Sequence, residues 1–67
     1  MAKPKATIRV MGDKKLSHEL ISKIVRILEE GGYDFSAPRE YPMYKDKKNR
    51  KKENIDPSRT RLYISVY

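Results

Sequence analysis

The chain of 67 residues contains no cysteine and no tryptophan, and His18 is its one histidine. Without cysteine it forms no disulfide and no thiolate metal site, and a single histidine is too few for a convincing zinc site. Its three glycines do not form a phosphate-binding loop. His18 lies at the start of a predicted helix and has no partner for acid–base chemistry. We therefore expect no catalytic residue, no metal, no cofactor and no enzyme activity.

Long apolar runs are also missing. No segment approaches the roughly 20 apolar residues that cross a bilayer. The basic start of the chain leads into a predicted strand without the apolar segment of a signal peptide. We expect a cytoplasmic protein with no membrane partner. Residues 1–67 are expected to form one small domain, too small to enclose a pocket for a small-molecule substrate.

Positive charge dominates what is present. There are 16 Lys and Arg residues against nine Asp and Glu residues, which gives a net charge of +7. A positive field favours nucleic acid, an anionic membrane or an acidic protein, and the charge alone does not choose among them. Charged residues make up 37% of the chain while glutamine is absent, a composition typical of thermophile proteins.

The first half of the chain predicts a strand followed by a helix. Apolar and polar residues alternate over 5–11, which is typical of a strand, and Gly12-Asp13 is expected to turn the chain. Ser17 is the expected N-cap of the helix, and Gly31 is the expected left-handed residue after its end. The predicted core-facing stripe of this helix covers about 160° of arc and consists of Leu20, Ile21, Ile24, Val25, Ile27 and Leu28.

The second half predicts two strands. Residues 33–44 read as an edge strand because Pro38 and Pro42 cannot donate to a ladder and are four residues apart, so both missing donors can face solvent. Residues 60–67 alternate cleanly and read as the central strand. The expected fold is α+β with the order β-α-β-β: a three-stranded antiparallel sheet of order 1-3-2, one helix on one face, and a long basic loop between strands 2 and 3. The opposite face of the sheet is expected to stay open.

The basic loop is expected over residues 45–59 and to be flexible in the free protein. Its dense positive charge suits phosphate neutralisation or an acidic protein patch, and the alternative is a solvated segment that only maintains solubility. Its predicted partner-binding cations are Lys45, Lys47, Lys48, Arg50, Lys51 and Lys52, with Arg59 at its end.

Tyr41, Pro42, Met43 and Tyr44 lie at the start of that loop. Tyrosine and methionine are enriched in the centres of protein interfaces, so Tyr41, Met43 and Tyr44 are candidate partner-binding residues. The alternative, which the spacing of two favours for Tyr41 and Met43, is that both fill the core beneath the edge strand. Tyr44 would then face outward with the loop.

The open face of the sheet is a possible second binding surface. Arg9 and Met11 of the first strand are expected beside Arg61, Tyr63 and Tyr67 of the central strand. Aromatic rings among arginines on a sheet resemble platforms on which the bases of single-stranded nucleic acid stack. The alternatives are an ordinary amphipathic sheet with stabilising cross-strand pairs and a dimer surface.

A short basic chain of this element order, with a cationic loop after Tyr41, Pro42, Met43 and Tyr44, resembles the small archaeal inhibitors of the sliding clamp PCNA. The Gln-x-x-aliphatic-x-x-aromatic-aromatic box of most clamp binders is absent, as it is thought to be in those inhibitors. The resemblance implies docking on the acidic clamp and interference with its use by DNA polymerase. Met43 and Tyr44 would then enter the clamp's hydrophobic groove while the lysines meet the acidic residues around it.

The sequence thus predicts a non-enzymatic module that binds an acidic protein, with PCNA as the first candidate and regulation of DNA replication as the role. The alternative hypothesis is a protein that binds DNA or RNA, in which the loop contacts phosphates and the open face contacts bases.

Overall fold

The computed structural model describes residues 3–46 and 48–67 and confirms the predicted α+β fold. Strand β3 lies between β1 and β2 and is antiparallel to both, which confirms the predicted order 1-3-2. Pro42 lies within the outer strand β2, and Pro38 directly precedes that strand. The elements are β1 (Ala6–Asp13), α1 (Lys14–Glu30), β2 (Arg39–Tyr44), a single 3-10 turn (Lys52–Asn54) and β3 (Ile55–Val66).

The hydrophobic core lies between α1 and the β1–β3 pair. Alternate residues of β3 point to opposite faces, so Leu62 and Ile64 face the helix and are buried, with no accessible surface left on Ile64. Ile21 and Leu28 of α1 complete the buried set. The partly buried residues around them are Ile8, Val10, Ile24, Val25, Phe35 and Val66.

The helix begins earlier than predicted. The Asp13 carboxylate accepts a hydrogen bond from the backbone N–H of Leu16 at 2.9 Å, so Asp13 is the N-cap. Ser17, the predicted cap, lies inside the helix and is only 3% exposed. No separate turn forms at Gly12-Asp13, because β1 runs directly into α1. Gly12 takes a φ of 134° at this junction, which L side chains rarely adopt. The sequence prediction was wrong because Asp13 caps as well as Ser17.

The buried stripe of α1 is narrower than predicted. It follows the line Ser17, Ile21 and Leu28, with Ile24 and Val25 partly buried beside it. Two members of the predicted stripe, Leu20 and Ile27, are instead exposed by 44% and 64%. These two residues lie roughly 80° and 100° from the buried line, since successive residues turn by about 100°. The helix packs on β1 and β3, and two strands cover less of its surface than the full sheet would.

At the C-terminal end of α1 the left-handed glycine lies one residue later than predicted. Gly31 is the C-cap and keeps right-handed helical backbone angles, while Gly32 takes the left-handed conformation with a φ of 71°. The N–H groups of Gly32 and Tyr33 bond back to the carbonyls of Glu29 and Leu28 at 3.1 and 3.0 Å. Gly32 rather than Gly31 therefore makes the turn out of the helix.

Both later strands have different bounds from those predicted. Strand β2 begins only at Arg39, although Phe35 forms an isolated bridge with Val66. Strand β3 begins at Ile55, so residues 55–59 of the predicted loop belong to a strand. The sequence did not predict this extension because most residues over 55–59 are polar, so apolar and polar residues do not alternate there. The flexibility predicted for the remaining loop stays a prediction.

Asn54 closes the loop between β2 and β3. Its side-chain amide donates to the carbonyls of Asp46 and Asn49 at 3.2 and 2.6 Å. Its own carbonyl accepts from the N–H of Lys45 at 2.8 Å. These bonds place the two ends of the loop side by side.

We expect Asp13→Ala to lower the free energy of unfolding by about 1 kcal/mol, because the first turn of α1 loses its cap. In a domain this small the melting temperature should fall by roughly 4–8 °C. Asp13→Asn should retain most of the stability, since asparagine caps equally well. Ser17→Ala is the matched comparison. Thermal unfolding in which Ser17→Ala costs more than Asp13→Ala would contradict this assignment.

Candidate binding surface

The face of the sheet turned away from α1 is uncovered, and we call it the open face. Residues directly opposite each other in an antiparallel ladder point to the same side. The register therefore builds two rows across the three strands on this face. One row is Arg9, Tyr63 and Arg39, and the next is Met11, Arg61 and Tyr41.

Tyr41 belongs to the open face and not to the core. It is 44% exposed, and its ring meets that of Tyr63 edge to face, with centroids 5.6 Å apart and planes at 73°. The sequence prediction that Tyr41 fills the core was wrong, because pairing with Arg61 turns Tyr41 away from the helix. The sequence analysis did not predict Arg39 as a binding residue. Arg39 lies two residues before Tyr41, however, and strand alternation already indicated that these two residues share a face.

A shallow aromatic cleft of about 350 Å³ lies along the β2–β3 pair. Its two arginines are held by the protein: Arg39 Nη2 donates to Ser65 Oγ at 3.0 Å, and Arg61 Nη2 donates to the Pro42 carbonyl at 3.2 Å. Each guanidinium keeps further N–H donors, so the cleft combines fixed cations with ring surfaces. Its lining residues are Arg39, Tyr41, Arg61 and Tyr63.

A second cleft of about 430 Å³ opens where β1, β2, β3 and the basic loop meet, and we call it the cationic cleft. It combines apolar and cationic side chains, and none of the described residues that line it is acidic. Within residues 3–46 and 48–67, the only contact closer than 4 Å between a basic and an acidic side chain is His18–Glu40, on the other side of the sheet. The cations of this cleft make no such contact, and Asp56 interacts with Arg59 and Lys45 only at longer range. Its lining residues are Met11, Met43, Tyr44, Lys45, Arg50, Arg59 and Arg61.

Arg61 lines both clefts and is incompletely hydrogen-bonded. Its Nε is shielded from solvent and has no hydrogen-bond partner in the part of the chain that the structure describes. A buried donor without a partner costs about 1–3 kcal/mol. Arg61 is therefore the residue of this face with most to gain from a bound acceptor.

Met43 and Tyr44 form part of the cationic cleft. The sequence favoured the core for Met43, which was wrong, and expected Tyr44 to face outward with the loop, whose Lys45 and Arg50 do lie beside it in the cleft lining. Met43 follows Tyr41 onto the open face, and both Met43 and Tyr44 are half-buried in the cleft wall. A register shift between Pro42 and Tyr44 brings Tyr44 opposite Ile55, and sequence alternation alone does not reveal such a shift.

The predicted binding residues of the loop and the C-terminal end divide into those at the cleft and those outside it. Lys45 and Arg50 line the cationic cleft. Lys48, Lys51 and Lys52 are exposed and do not line either cleft, and Lys47 lies outside the described residues. Tyr67 lies beyond the end of β3, where its N–H donates to the Asp34 carbonyl at 2.8 Å.

His18 connects α1 to β2 on the helix side of the sheet. It is the fifth residue of the helix and not, as predicted, the first. Its Nε2 lies 2.8 Å from Glu40 Oε2, and Thr60 Oγ1 donates to the same oxygen at 2.6 Å. The Thr60 hydrogen bond, followed by the His18 hydrogen bond, lowers the pKa of Glu40 below its usual 4.5. This contact links the helix to the edge strand that α1 does not cover.

Comparison with known proteins finds no match to any family model, curated protein or solved structure. No helix among the described residues is both long and apolar enough to cross a membrane. What the chain binds is therefore inferred from the chemistry of the two clefts.

We expect Glu40→Gln to lower the melting temperature by about 2–4 °C at pH 7, a small effect because the contact is exposed. The lowered pKa of Glu40 means that its ionised form stabilises the fold above pH 4.5 and that this stabilisation is lost as the pH falls through the folded-state pKa. The difference between wild type and variant should therefore shrink toward pH 3. Glu29→Gln, at the far end of α1, is the charge-matched control. A difference that is constant from pH 7 to pH 3 would contradict this role for Glu40.

Proposed function

We propose that this chain is a non-enzymatic binding module that docks its open face on an acidic protein. One observation carries the proposal: apolar side chains and cations line the same cleft. Its apolar members are Met11, Met43 and Tyr44, and its cations are Lys45, Arg50, Arg59 and Arg61. Protein interfaces typically have an apolar, aromatic centre inside a polar rim.

The methionines favour a protein partner over nucleic acid. Phosphate contacts require cations and hydrogen-bond donors, and neither needs Met11 or Met43. Methionine has an unbranched, polarisable side chain that adapts to apolar side chains of irregular shape. The exposed cations of the loop, Lys48, Lys51 and Lys52, add a positive field that accelerates encounter with an acidic surface.

The resemblance to the archaeal clamp inhibitors makes the PCNA sliding clamp the first partner to test. Docking there would obstruct the use of the clamp by DNA polymerase and so regulate replication. Met43 and Tyr44 are half-buried walls of a concave cleft. We therefore propose that a side chain of the partner enters the cleft of this chain. The resemblance implied the reverse, with Met43 and Tyr44 entering a groove of the clamp.

We expect the double variant Met43→Ala, Tyr44→Ala to bind its protein partner at least 10-fold more weakly, because the apolar centre of the interface is removed. Partners are captured from a nuclease-treated thermophile lysate, and purified clamp is tested by calorimetry. Leu20→Ala, Ile27→Ala removes two apolar side chains of α1 that are more exposed than Met43 and Tyr44, and serves as the control. Equal loss in both double variants, or capture of no protein by the wild type, would contradict the proposal.

A second candidate function is binding of single-stranded nucleic acid in the aromatic cleft. The observation that favours it is the exposed Tyr41 ring beside Tyr63, flanked by Arg39 and Arg61. Bases stack on such rings while arginines contact the phosphates. In this alternative the sugar–phosphate backbone of the nucleic acid continues from the aromatic cleft along the cationic cleft and the loop.

Titration with single-stranded DNA and RNA at 50 and 200 mM salt separates the two candidates. The protein-partner proposal predicts weak binding that largely disappears at 200 mM salt, as expected for charge attraction alone. It also predicts that Tyr41→Ala has no more effect on this binding than Tyr33→Ala, a tyrosine at the end of α1 that is also exposed. Tight binding at 200 mM salt that falls roughly 5- to 100-fold in Tyr41→Ala alone would favour nucleic acid.

A further inference from the structure

We propose that the cationic cleft is a receptor for a carboxylate carried next to an apolar side chain, and that Arg61 is its anchoring residue. The proposal rests on the proposed function and specifies it: the ligand is a short acidic and hydrophobic motif of the partner protein, an Asp or Glu followed by a residue such as Leu or Phe.

The charge of the cleft indicates an anionic ligand. Lys45, Arg50, Arg59 and Arg61 converge from the loop and β3, and none of the described residues in the lining is acidic, the nearby Asp56 lying outside it. Like charges gathered in one concavity repel each other and raise the local potential. A carboxylate entering the cleft would relieve this repulsion and meet several donors at once.

The hydrogen bonding of Arg61 indicates a planar acceptor with two oxygens. One donor of its guanidinium, on Nη2, is bound to the Pro42 carbonyl, while Nε is unpaired. A carboxylate binds arginine through two parallel hydrogen bonds, which a lysine ammonium cannot reproduce. Because Nε is shielded from solvent, the ligand has to displace the group that covers it. The flexible methionines in the lining, Met11 and Met43, are suited to such a movement.

The apolar side of the cleft indicates what accompanies the carboxylate. Met11, Met43 and Tyr44 line the same cavity of about 430 Å³. This volume lies within the range of small-ligand sites, roughly 300–1,000 Å³, and is large enough for one acidic and one apolar side chain. A bare polyanion would leave these apolar groups unused, so the cleft should discriminate against purely charged ligands.

Titration of the isotope-labelled full chain with blocked peptides, followed by amide chemical shifts at 150 mM salt, tests the proposal. The probes are acetyl-Glu-Leu-Phe-amide, its Gln-Leu-Phe and Glu-Gly-Gly counterparts, thymidine monophosphate and inorganic phosphate. We expect the Glu-Leu-Phe peptide to shift amides around Met43 and Arg61 and to bind at least 10-fold more tightly than every other probe. Equal binding of the Glu-Gly-Gly peptide, the Gln-Leu-Phe peptide or either phosphate would overturn the proposal.

Two variants test the role of Arg61 with the same Glu-Leu-Phe peptide. Arg61→Lys keeps the charge but loses the paired donors, and its affinity should fall at least 10-fold. Arg26→Lys makes the same exchange at an exposed position of α1, away from the open face, and should bind as the wild type does. Equal affinity in Arg61→Lys and Arg26→Lys would overturn the anchoring role. If Arg61→Lys fails to fold, the comparison of probes on the wild type still decides the proposal.

The outcomes separate this inference from the proposed function. Capture of an acidic protein that depends on Met43 and Tyr44, without the peptide discrimination, overturns the inference and leaves the proposed function intact. Peptide discrimination without capture of any protein partner supports the receptor chemistry of the cleft and overturns the proposed function.

Discussion

The structure depends on the packing of a single helix onto two of three strands. Because α1 covers β1 and β3 on one side only, the sheet has one face in the core and one face in solvent. The resulting molecule is flat, with extents of 40 × 28 × 13 Å. Strand β3 takes part in both faces, since Leu62 and Ile64 enter the core while Arg61 and Tyr63 point outward. Stability and the proposed binding therefore use alternate residues of the same strand.

This arrangement explains how a chain with a small core also presents cationic, aromatic and apolar side chains together on one surface. The residues of the open face are held by backbone pairing with β3, and few of them are needed for packing against α1. Arg39 and Arg61 are further fixed by hydrogen bonds to Ser65 and to the Pro42 carbonyl. Cations positioned on a rigid sheet lose less conformational entropy on binding than cations on a free loop. The paired strands therefore present the arginines, and the loop extends the positive field.

The sequence was sufficient to predict the fold and the strand order, because alternation in β3 and the prolines near β2 are local signals of burial and edge position. It did not predict which side Tyr41 and Met43 occupy. Their spacing shows that they share a face, but the choice of face depends on tertiary pairing with β3. The sequence predicted Met11 beside Arg61 on the open face, and the register confirms this pair. It did not predict the cationic cleft, because Tyr44 joins these two residues only through the shift after Pro42. Asp13 was missed as N-cap because Ser17 offered an equivalent local signal.

The proposed partner surface is the open face. Cross-saturation from an unlabelled partner to the deuterated, amide-labelled chain measures which face lies at the interface. We expect strong saturation transfer to amides of Met43, Arg61 and Tyr63 and little transfer to the exposed side of α1. Saturation concentrated on Leu16, Leu20 and Ile27 of the helix, with the open face unaffected, would contradict it.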